Sequence, residues 1–379
     1  MNTKSFYANS IEQVDEILSE FKSSNFHPTL AIVFSSIKFD FKALSSVFDE
    51  HQIDLLACSS SGEICDREVV EEKISVMVMD MNRGYYRLCT KETGEMTTYQ
   101  IAHEIGVHTK EAFDDPALIL FSGGFRVDAQ QIILGVKDGV QKQIPIYGGL
   151  SSDDLRMQET IVFSNQWQSN NGIVSLIIDT QKIEVAGMAT SGWESIGTVN
   201  TITKAEGNLL YEINDQPALD FFIKYFGFYG REQDPKSVTL ETLSGQYPLQ
   251  VMRPGGYSVL RSPLIADEKN GSLILAGGVK RGDQFQFSIA PSFEVMEETV
   301  NLFGQFYKTH SEMDAIILVS CKARHTAFGP MIESEVEGIY DYWNKPLIGF
   351  FSYGEIGNVE KGDCEFHNAT VTFIGLKEV

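Results

Sequence analysis

Leu55-Leu-Ala-Cys-Ser-Ser-Ser-Gly62-Glu63-Ile64 and Leu347-Ile-Gly-Phe-Phe-Ser-Tyr-Gly354-Glu355-Ile356 are two versions of one phrase, an apolar run ending in small polar residues and a Gly-Glu pair. Each follows a β-branched run, Ala31-Ile-Val-Phe-Ser-Ser36 or Ala315-Ile-Ile-Leu-Val-Ser-Cys321, with a helix-length segment between. A weaker copy runs from Leu118-Ile-Leu-Phe-Ser-Gly-Gly124 through a helix-length stretch to Pro145-Ile-Tyr-Gly-Gly-Leu-Ser-Ser-Asp153-Asp154, where the carboxylate follows Ser rather than Gly. The repeated object is strand, helix, strand, loop. A βαβ unit sets its strands parallel with a right-handed crossover, so the loops after equivalent strands are expected on one sheet edge. Such edges are where α/β sheets build binding crevices. A single copy reads equally well as a turn made of Gly, Ser and Asp. Recurrence of the whole unit favours more than a turn, although a duplication can keep a turn without keeping a ligand.

Working outward, Ile11, Val14, Ile17, Leu18 and Phe21 fall at helical spacing behind Ser10 as N-cap. Residues 73–81 and 85–89 read as strands joined by Asn82-Arg83-Gly84, a hairpin signal. A helix is expected over 97–113, then strands over 160–163, 172–178 and 182–190 that resemble a meander. Pro217 suits the start of a helix carrying Leu219, Phe222, Ile223 and Phe226. Residues 227–271 hold many of the Gly, Pro and charged residues, with short strands at 249–252 and 259–260. The last unit is expected to begin at Ser272, to include a helix over 293–309, and to close with a strand over 366–376. The fold class is therefore α/β, with two domains of mixed β-sheets flanked by helices, built partly from repeated strand-helix-strand units and divided near residue 205.

A chain of 379 residues exceeds one ordinary core, in line with two domains. With 43% hydrophobic and 22% charged residues it has the balance of a globular protein rather than a disordered one. No apolar run approaches the roughly 20 residues that cross a bilayer, and the N-terminus lacks a basic region leading into an apolar core, so a cytoplasmic location is expected. The formal charge of −22 repels phosphate backbones and anionic membrane surfaces, which argues against nucleic-acid and membrane partners. Five cysteines without CxxC or zinc-ligand spacing read as reduced thiols.

Several of these stretches, taken in order, resemble the FIST family, named for F-box and intracellular signal transduction proteins. Cys58-Ser-Ser-Ser-Gly-Glu63, Gly148-Gly-Leu-Ser-Ser-Asp-Asp154 and Ser191-Gly-Trp-Glu-Ser-Ile-Gly197 are similar to its N-terminal domain, placed at 1–205. Glu206-Gly-Asn-Leu-Leu-Tyr-Glu-Ile-Asn214 and Pro217-Ala-Leu-Asp220 are similar to the junction into its C-terminal domain, placed at 206–379. That domain is the better matched, by Ser320-Cys-Lys-Ala-Arg324, the helix with Glu335, Gly349-Phe-Phe-Ser-Tyr-Gly-Glu-Ile-Gly357 and His367-Asn-Ala-Thr370. Ala369 departs from the family's His-Asn-Gln-Thr ending. The resemblance implies a cytoplasmic sensory module, not an enzyme, that binds a small ligand and signals to a partner such as a histidine kinase or a cyclic-dinucleotide enzyme. In one subset it implies haem and nitric oxide sensing.

The expected ligand-binding residues are Cys321, Arg324, Ser352, Tyr353, Glu355 and His367. Arg324 follows an apolar strand and is expected close to Glu355, either clamping a ligand carboxylate or haem propionate or forming a structural ion pair with Glu355 or Glu335. Glu63 and Glu355 occupy equivalent loop positions, to bind a ligand amine or to cap a helix. Ser59, Ser60, Ser61, Ser352 and Tyr353 would line the same edge with hydroxyls. His367 is the first candidate for a haem iron ligand and His325 the second, although a lone histidine in a strand is more often a hydrogen-bonded core residue. His103 and His108 lie five apart on a helix and point in different directions, which argues against a shared metal. The alternative functions are a hydrolytic enzyme using Cys321, with His325 as its base, or Glu355, and a signalling scaffold whose acidic surface docks a basic partner.

Overall fold

The computed structural model describes residues 1–22, 24–124, 127–226, 247–289, 294–358 and 363–379. The strand-helix-strand phrase proves to be the visible part of a larger repeat. Each copy runs edge strand, helix, strand, helix, strand, outgoing hairpin and return strand. In the first copy these are Thr3–Ala8, Ile11–Lys22, Leu30–Ser36, Phe41–Glu50, Asp54–Ser60, the hairpin Glu63–Cys65 with Glu68–Val70, and Ile74–Met79. The second copy is Tyr86–Glu92, Thr98–Ala112, Pro116–Ser122, Ala129–Val140, Ile146–Leu150, the hairpin Val162–Ser164 with Trp167–Ser169, and Gly172–Asp179. The third is Ile183–Thr190, Glu294–Tyr307, Ala315–Cys321, a short helix Lys322–Phe328 leading to Ile332–Trp343, Leu347–Ser352, the hairpin Glu355–Asn358 with Cys364–His367, and Val371–Glu378.

The hairpins are exchanged in a ring. That of the first copy pairs antiparallel with Leu347–Ser352 of the third, that of the third with Ile146–Leu150 of the second, and that of the second with Asp54–Ser60 of the first. Three six-stranded mixed sheets result, each holding one parallel pair at its centre. The backbone bonds that lock the exchange repeat in turn: Ser61 N–H to Phe351 O at 3.3 Å, Tyr353 N–H to Leu150 O at 3.3 Å, and Ser152 N–H to Ser59 O at 3.1 Å. The chain is therefore a pseudo-threefold ring, which residues on both sides of position 205 complete.

The inner faces of the three sheets share one core around the ring axis, and each copy contributes one phenylalanine to its centre. Phe34 packs on Phe350 with ring centroids 4.4 Å apart, and Phe121 lies 5.3 Å from Phe34 and 5.6 Å from Phe350. Burial on both faces explains the almost uninterrupted apolar strands. A pair of helices covers each outer face. A fourth, eight-stranded antiparallel sheet is inserted in the third copy after Thr190, drawn from Glu194–Glu206 to Gln284–Ile289 with the helix Ala218–Phe226 packed on it.

Mixed sheets flanked by helices are as the sequence indicates, and the helices over 11–22, 98–112 and 129–140 lie where expected. Ser10 and Asp128 cap two of them through their side chains. Three expectations change. Asn82-Arg83-Gly84 turns the chain, but Ile74–Met79 and Tyr86–Glu92 lie in different sheets, so there is no hairpin. The supposed meander is three strands in three sheets. Ser272–Leu275 belongs to the inserted sheet rather than to the last unit, and the closing segment breaks at 368–370 into two strands of separate sheets. Local pattern carries strand identity but not pairing, which long-range packing decides. Residues 227–246 of the Gly- and Pro-rich stretch, and residue 293 of the expected helix, lie outside the described residues.

Candidate ligand site

The loops after the three central strand pairs come from three different sheets yet converge at one end of the ring, because each leads into the neighbouring sheet. Glu63 and Glu355 hold two of these loops shut. Glu63 accepts from Ser60 Oγ and, at 2.9 Å, from the Lys73 N–H. Glu355 accepts from Ser352 Oγ, from Thr370 Oγ1 at 2.7 Å and from the Thr370 N–H at 3.3 Å. Each carboxylate thus fastens its own loop to the start of its own return strand. Neither caps a helix, and both are fully buried. Burial pushes Glu63 up to about 8 and Glu355 up to about 7 against the bonds that favour their charge.

Arg324 takes the structural alternative, with Glu335 rather than Glu355. Its guanidinium is buried and makes a two-pronged pair with Glu335. It also donates to Ser191 O, to Ala369 O at 3.4 Å and to Thr299 Oγ1 at 3.4 Å, and it lies over the Trp193 and Phe328 rings. Arg324 therefore clamps a loop and two helices together and has no open face toward the Gly354-Glu355 loop. Cys321 is buried near Glu355, and burial pushes its thiol well up, away from thiolate chemistry. Ser352 is committed to Glu355, and the Tyr353 hydroxyl bonds Asp153 while accepting from the Leu155 N–H at 2.8 Å. The structure brings Cys321, Ser352, Glu355 and Thr370 together, and places His367 beside Glu355 in the strand pairing.

His367 is 1% exposed, and its Nε2 donates to Gly357 O at 3.1 Å. Burial pulls it down to about 4, so the ring is neutral. Haem iron would have to break that bond and open a slot for a macrocycle in a paired strand, so the residues around His367 do not fit haem in this arrangement. His325 stacks on Phe351 with centroids 4.3 Å apart and accepts at Nδ1 from Lys322 Nζ at 2.8 Å. One face and one nitrogen of that ring are thereby taken. Among the described residues no His, Cys, Asp or Glu cluster suits a bound metal ion, and all five cysteines are free.

The groups with unspent chemistry lie where the first and third copies meet over the second copy's loop. Lys322 Nζ, half-buried, donates to Ser61 O and His325 Nδ1, both at 2.8 Å. Among the described residues no carboxylate lies within 4.0 Å of it, although Glu71, Asp154 and Glu63 surround it at longer range. Burial lowers its pKa, and burial also raises that of Asp154. His325 is pulled down to about 4, first by burial and then by Lys322, so it is a neutral acceptor. Asp154 is fixed by its N–H to Ser61 Oγ at 2.7 Å and by Ser36 Oγ at 3.3 Å. The loop that carries it has Asp154, Leu155 and Met157 in left-handed backbone conformations, held by Asp153, whose carboxylate accepts from the N–H groups of 157, 158 and 159. Strain of this kind persists only where the surroundings impose it and is concentrated at functional loops. Lys322 and Asp154 both stand in the quoted motifs, but no sequence signal separates them from their neighbours, since their meeting depends on the strand exchange.

Comparison with known proteins accords with this architecture. The FIST N domain matches residues 29–216 and the FIST C domain residues 218–358. The chain belongs to the FIST family. It is also similar to an uncharacterized protein of Methanocaldococcus jannaschii, 23% identical over 409 aligned positions that cover 97% of this chain and 77% of that protein. FIST domains are sensory domains associated with small-ligand sensing in signal transduction. The junction of the two matched domains falls between the strand Gln216–Pro217 and the helix Ala218–Phe226, inside the inserted sheet of this FIST protein. No helix among its described residues is long and apolar enough to cross a membrane.

Proposed function

We propose that this FIST protein is a cytoplasmic sensor that binds a small polar molecule at the junction of its three loops and passes its state to a signalling partner, a histidine kinase or a cyclic-dinucleotide enzyme. The observation that carries the reading is the half-buried Lys322 ammonium, which meets a carbonyl and a neutral imidazole but, among the described residues, no carboxylate within 4.0 Å. A desolvated cation so placed gains most from an anionic or strongly polar ligand that spends its remaining N–H. Asp154, which acts on Lys322 from beyond ion-pair distance, supplies an acceptor of opposite sign for the other end of such a ligand. The same loops hold the exchanged hairpins, so a ligand that orders residues 153–159 acts on contacts between all three copies.

No catalytic step is assigned. The buried, protonated Cys321 and the fully bonded Glu355 support binding over hydrolysis. The test is a thermal-shift screen of small polar metabolites on the intact protein and on Lys322→Met, with an absorption spectrum before and after haem titration. Hits that vanish in Lys322→Met support the proposal. A Soret band that moves with nitric oxide and disappears in His367→Ala would replace it with the haem-based version.

A further inference from the structure

Away from the loop junction, a second cation lies fully buried where the inserted sheet meets the ring. Arg261 ends the strand Ser258–Arg261 and is 0% exposed. Its Nε donates to Gly278 O at 3.0 Å, and its Nη1 to Leu260 O at 2.9 Å and to Phe366 O at 2.8 Å. Its Nη2 is buried and has no partner. Among the described residues no carboxylate stands within 4.0 Å of it, although Glu365, Asp128 and Asp283 act on it from farther off. Arg324 shows the contrast within the same chain, since it is equally buried but matched by Glu335. Removing a guanidinium from water without a counter-charge costs several kcal/mol, and three carbonyl dipoles offset only part of that.

Two glycines and the capped start of a helix adjoin Arg261. Gly277 and Gly278 line its side chain, and a Cβ at Gly277 would come within 2.9 Å of its Cδ and Nε. A Cβ at Gly278 would meet Gly207 O at 3.6 Å, Asp128 Oδ2 at 3.8 Å and Gly207 C at 3.9 Å, which are ordinary contact distances, so a methyl fits there without a clash. Asp128 is the N-cap of the helix Ala129–Val140, whose N-terminus is thereby brought to the same place. In its first turn Gln130 Oε1 is buried and without a partner among the described residues, an acceptor for a donor group elsewhere on a ligand rather than for its carboxylate. The helix is tied to the strand Cys364–His367 by Lys137 Nζ to Cys364 O at 3.1 Å, and Phe366 of that strand lies under the guanidinium.

We propose that Arg261 Nη2 receives the carboxylate of a small organic acid, held between Gly278, the N-terminus of the helix Ala129–Val140 and the strand Cys364–His367. The ligand adds to the links between three parts of the chain, the inserted sheet, the second copy's helix and the third copy's exchanged hairpin, which already meet through Tyr257 Oη to Glu365 at 3.2 Å, Arg253 to Glu365 at 3.9 Å and Lys137 Nζ to Cys364 O at 3.1 Å. This site is separate from Lys322 and stands or falls apart from it.

The test is a thermal-unfolding titration of the full chain with sodium acetate, lactate, succinate and glutamate, each against sodium chloride at matched ionic strength. The expected result is a saturable rise in Tm with at least one carboxylate and none with chloride. In Arg261→Met the apparent Kd is expected to weaken about tenfold or more, as for loss of a charged hydrogen bond. Gly278→Ala guards against a folding defect in that variant, because its added methyl meets its neighbours only at ordinary contact distance. It is expected to keep its Tm in chloride and to respond less to the carboxylate. No saturable response to any of the four acids overturns the proposal, and so does a response that both variants retain unchanged. Lys322→Met is expected to leave this response intact.

Discussion

Glu63 and Glu355 each accept a bond from the backbone N–H just before their own return strand, Glu63 from Lys73 at 2.9 Å and Glu355 from Thr370 at 3.3 Å, while each takes the hydroxyl of the serine three positions before it. Two carboxylates far apart in sequence thus close two loops of the ring by one geometry. The second copy closes its loop differently. Asp153, at the head of a longer excursion, gathers the N–H groups of 157, 158 and 159 instead. The ring is therefore symmetric in its sheets and asymmetric in its loops, and the asymmetric loop brings Asp154 within electrostatic reach of Lys322.

Because the two Ser-Glu pairs do the same work, Ser60→Ala and Ser352→Ala are expected to destabilise the protein by similar amounts. Each loses a hydrogen bond to a buried carboxylate, which costs about 1.5–3 kcal/mol. Urea unfolding of both variants measures this. A large loss in one and none in the other would show that the two loops are not mechanically equivalent.

Arg324 and Glu335 form a buried pair that should behave as a unit. Arg324→Met alone leaves an uncompensated carboxylate and is expected to cost about 3–5 kcal/mol, whereas Arg324→Met with Glu335→Leu should recover most of that. Equilibrium unfolding of the two single variants and the double variant supplies the cycle. Ligand affinity in the folded double variant should match that of the parent protein, because Arg324 has no side open to the loops.

Stability should vary with pH in two directions. Glu63 and Glu355 are raised to about 8 and about 7 in the folded protein, above the usual value of about 4.3 in an unfolded chain. Between those limits the folded state binds more protons, so their contribution is complete at low pH and is lost as pH rises through 7 to 8. His325 and His367 are lowered to about 4, below about 6.5 when unfolded. Their contribution is present above 6.5 and is lost as pH falls toward 4. Tm should therefore rise as pH falls from about 8 to 6.5 and then level off down to about 4, where the two glutamates and the two histidines nearly cancel. Glu355→Gln, which mimics the protonated side chain, should flatten the alkaline slope. An unchanged slope in that variant would mean that Glu355 is ionised throughout.

Gly148 has φ +141°, and a Cβ there would fall 1.8 Å from Leu120 O of the paired strand. Gly148→Ala is expected to cost about 3 kcal/mol or more, or to prevent folding. Circular dichroism with thermal melting decides this, and a Tm within a few degrees of the parent would show that the strand pair can shift to admit a methyl.

The repeated phrases held a good deal of this in plain view. The βαβ units, their helices and the equivalence of Glu63 with Glu355 follow from apolar run lengths and from the recurrence of Gly-Glu, because those patterns are local. The strand exchange does not, since Val162 reads as an ordinary β residue whether it pairs with Cys58 of another copy or with a neighbour in its own. That exchange decides which motif residues meet. Arg324 stands in a motif and looked like a ligand clamp, yet its partner Glu335 lies one helix on and fills it. Lys322, two positions earlier, faces a loop from the first copy that only the exchange brings near. Ala369, where the family pattern has Gln, offers its backbone carbonyl to Arg324, so the bond does not depend on that side chain.

The most direct measurement is isothermal titration of the strongest polar ligand from the screen into the parent protein, Lys322→Met and Asp154→Asn, at a pH near 7. Binding in the parent that is weakened about tenfold or more in both variants, with folding intact, is the predicted result. Affinity that is the same in all three proteins would contradict a ligand site at the three-loop junction.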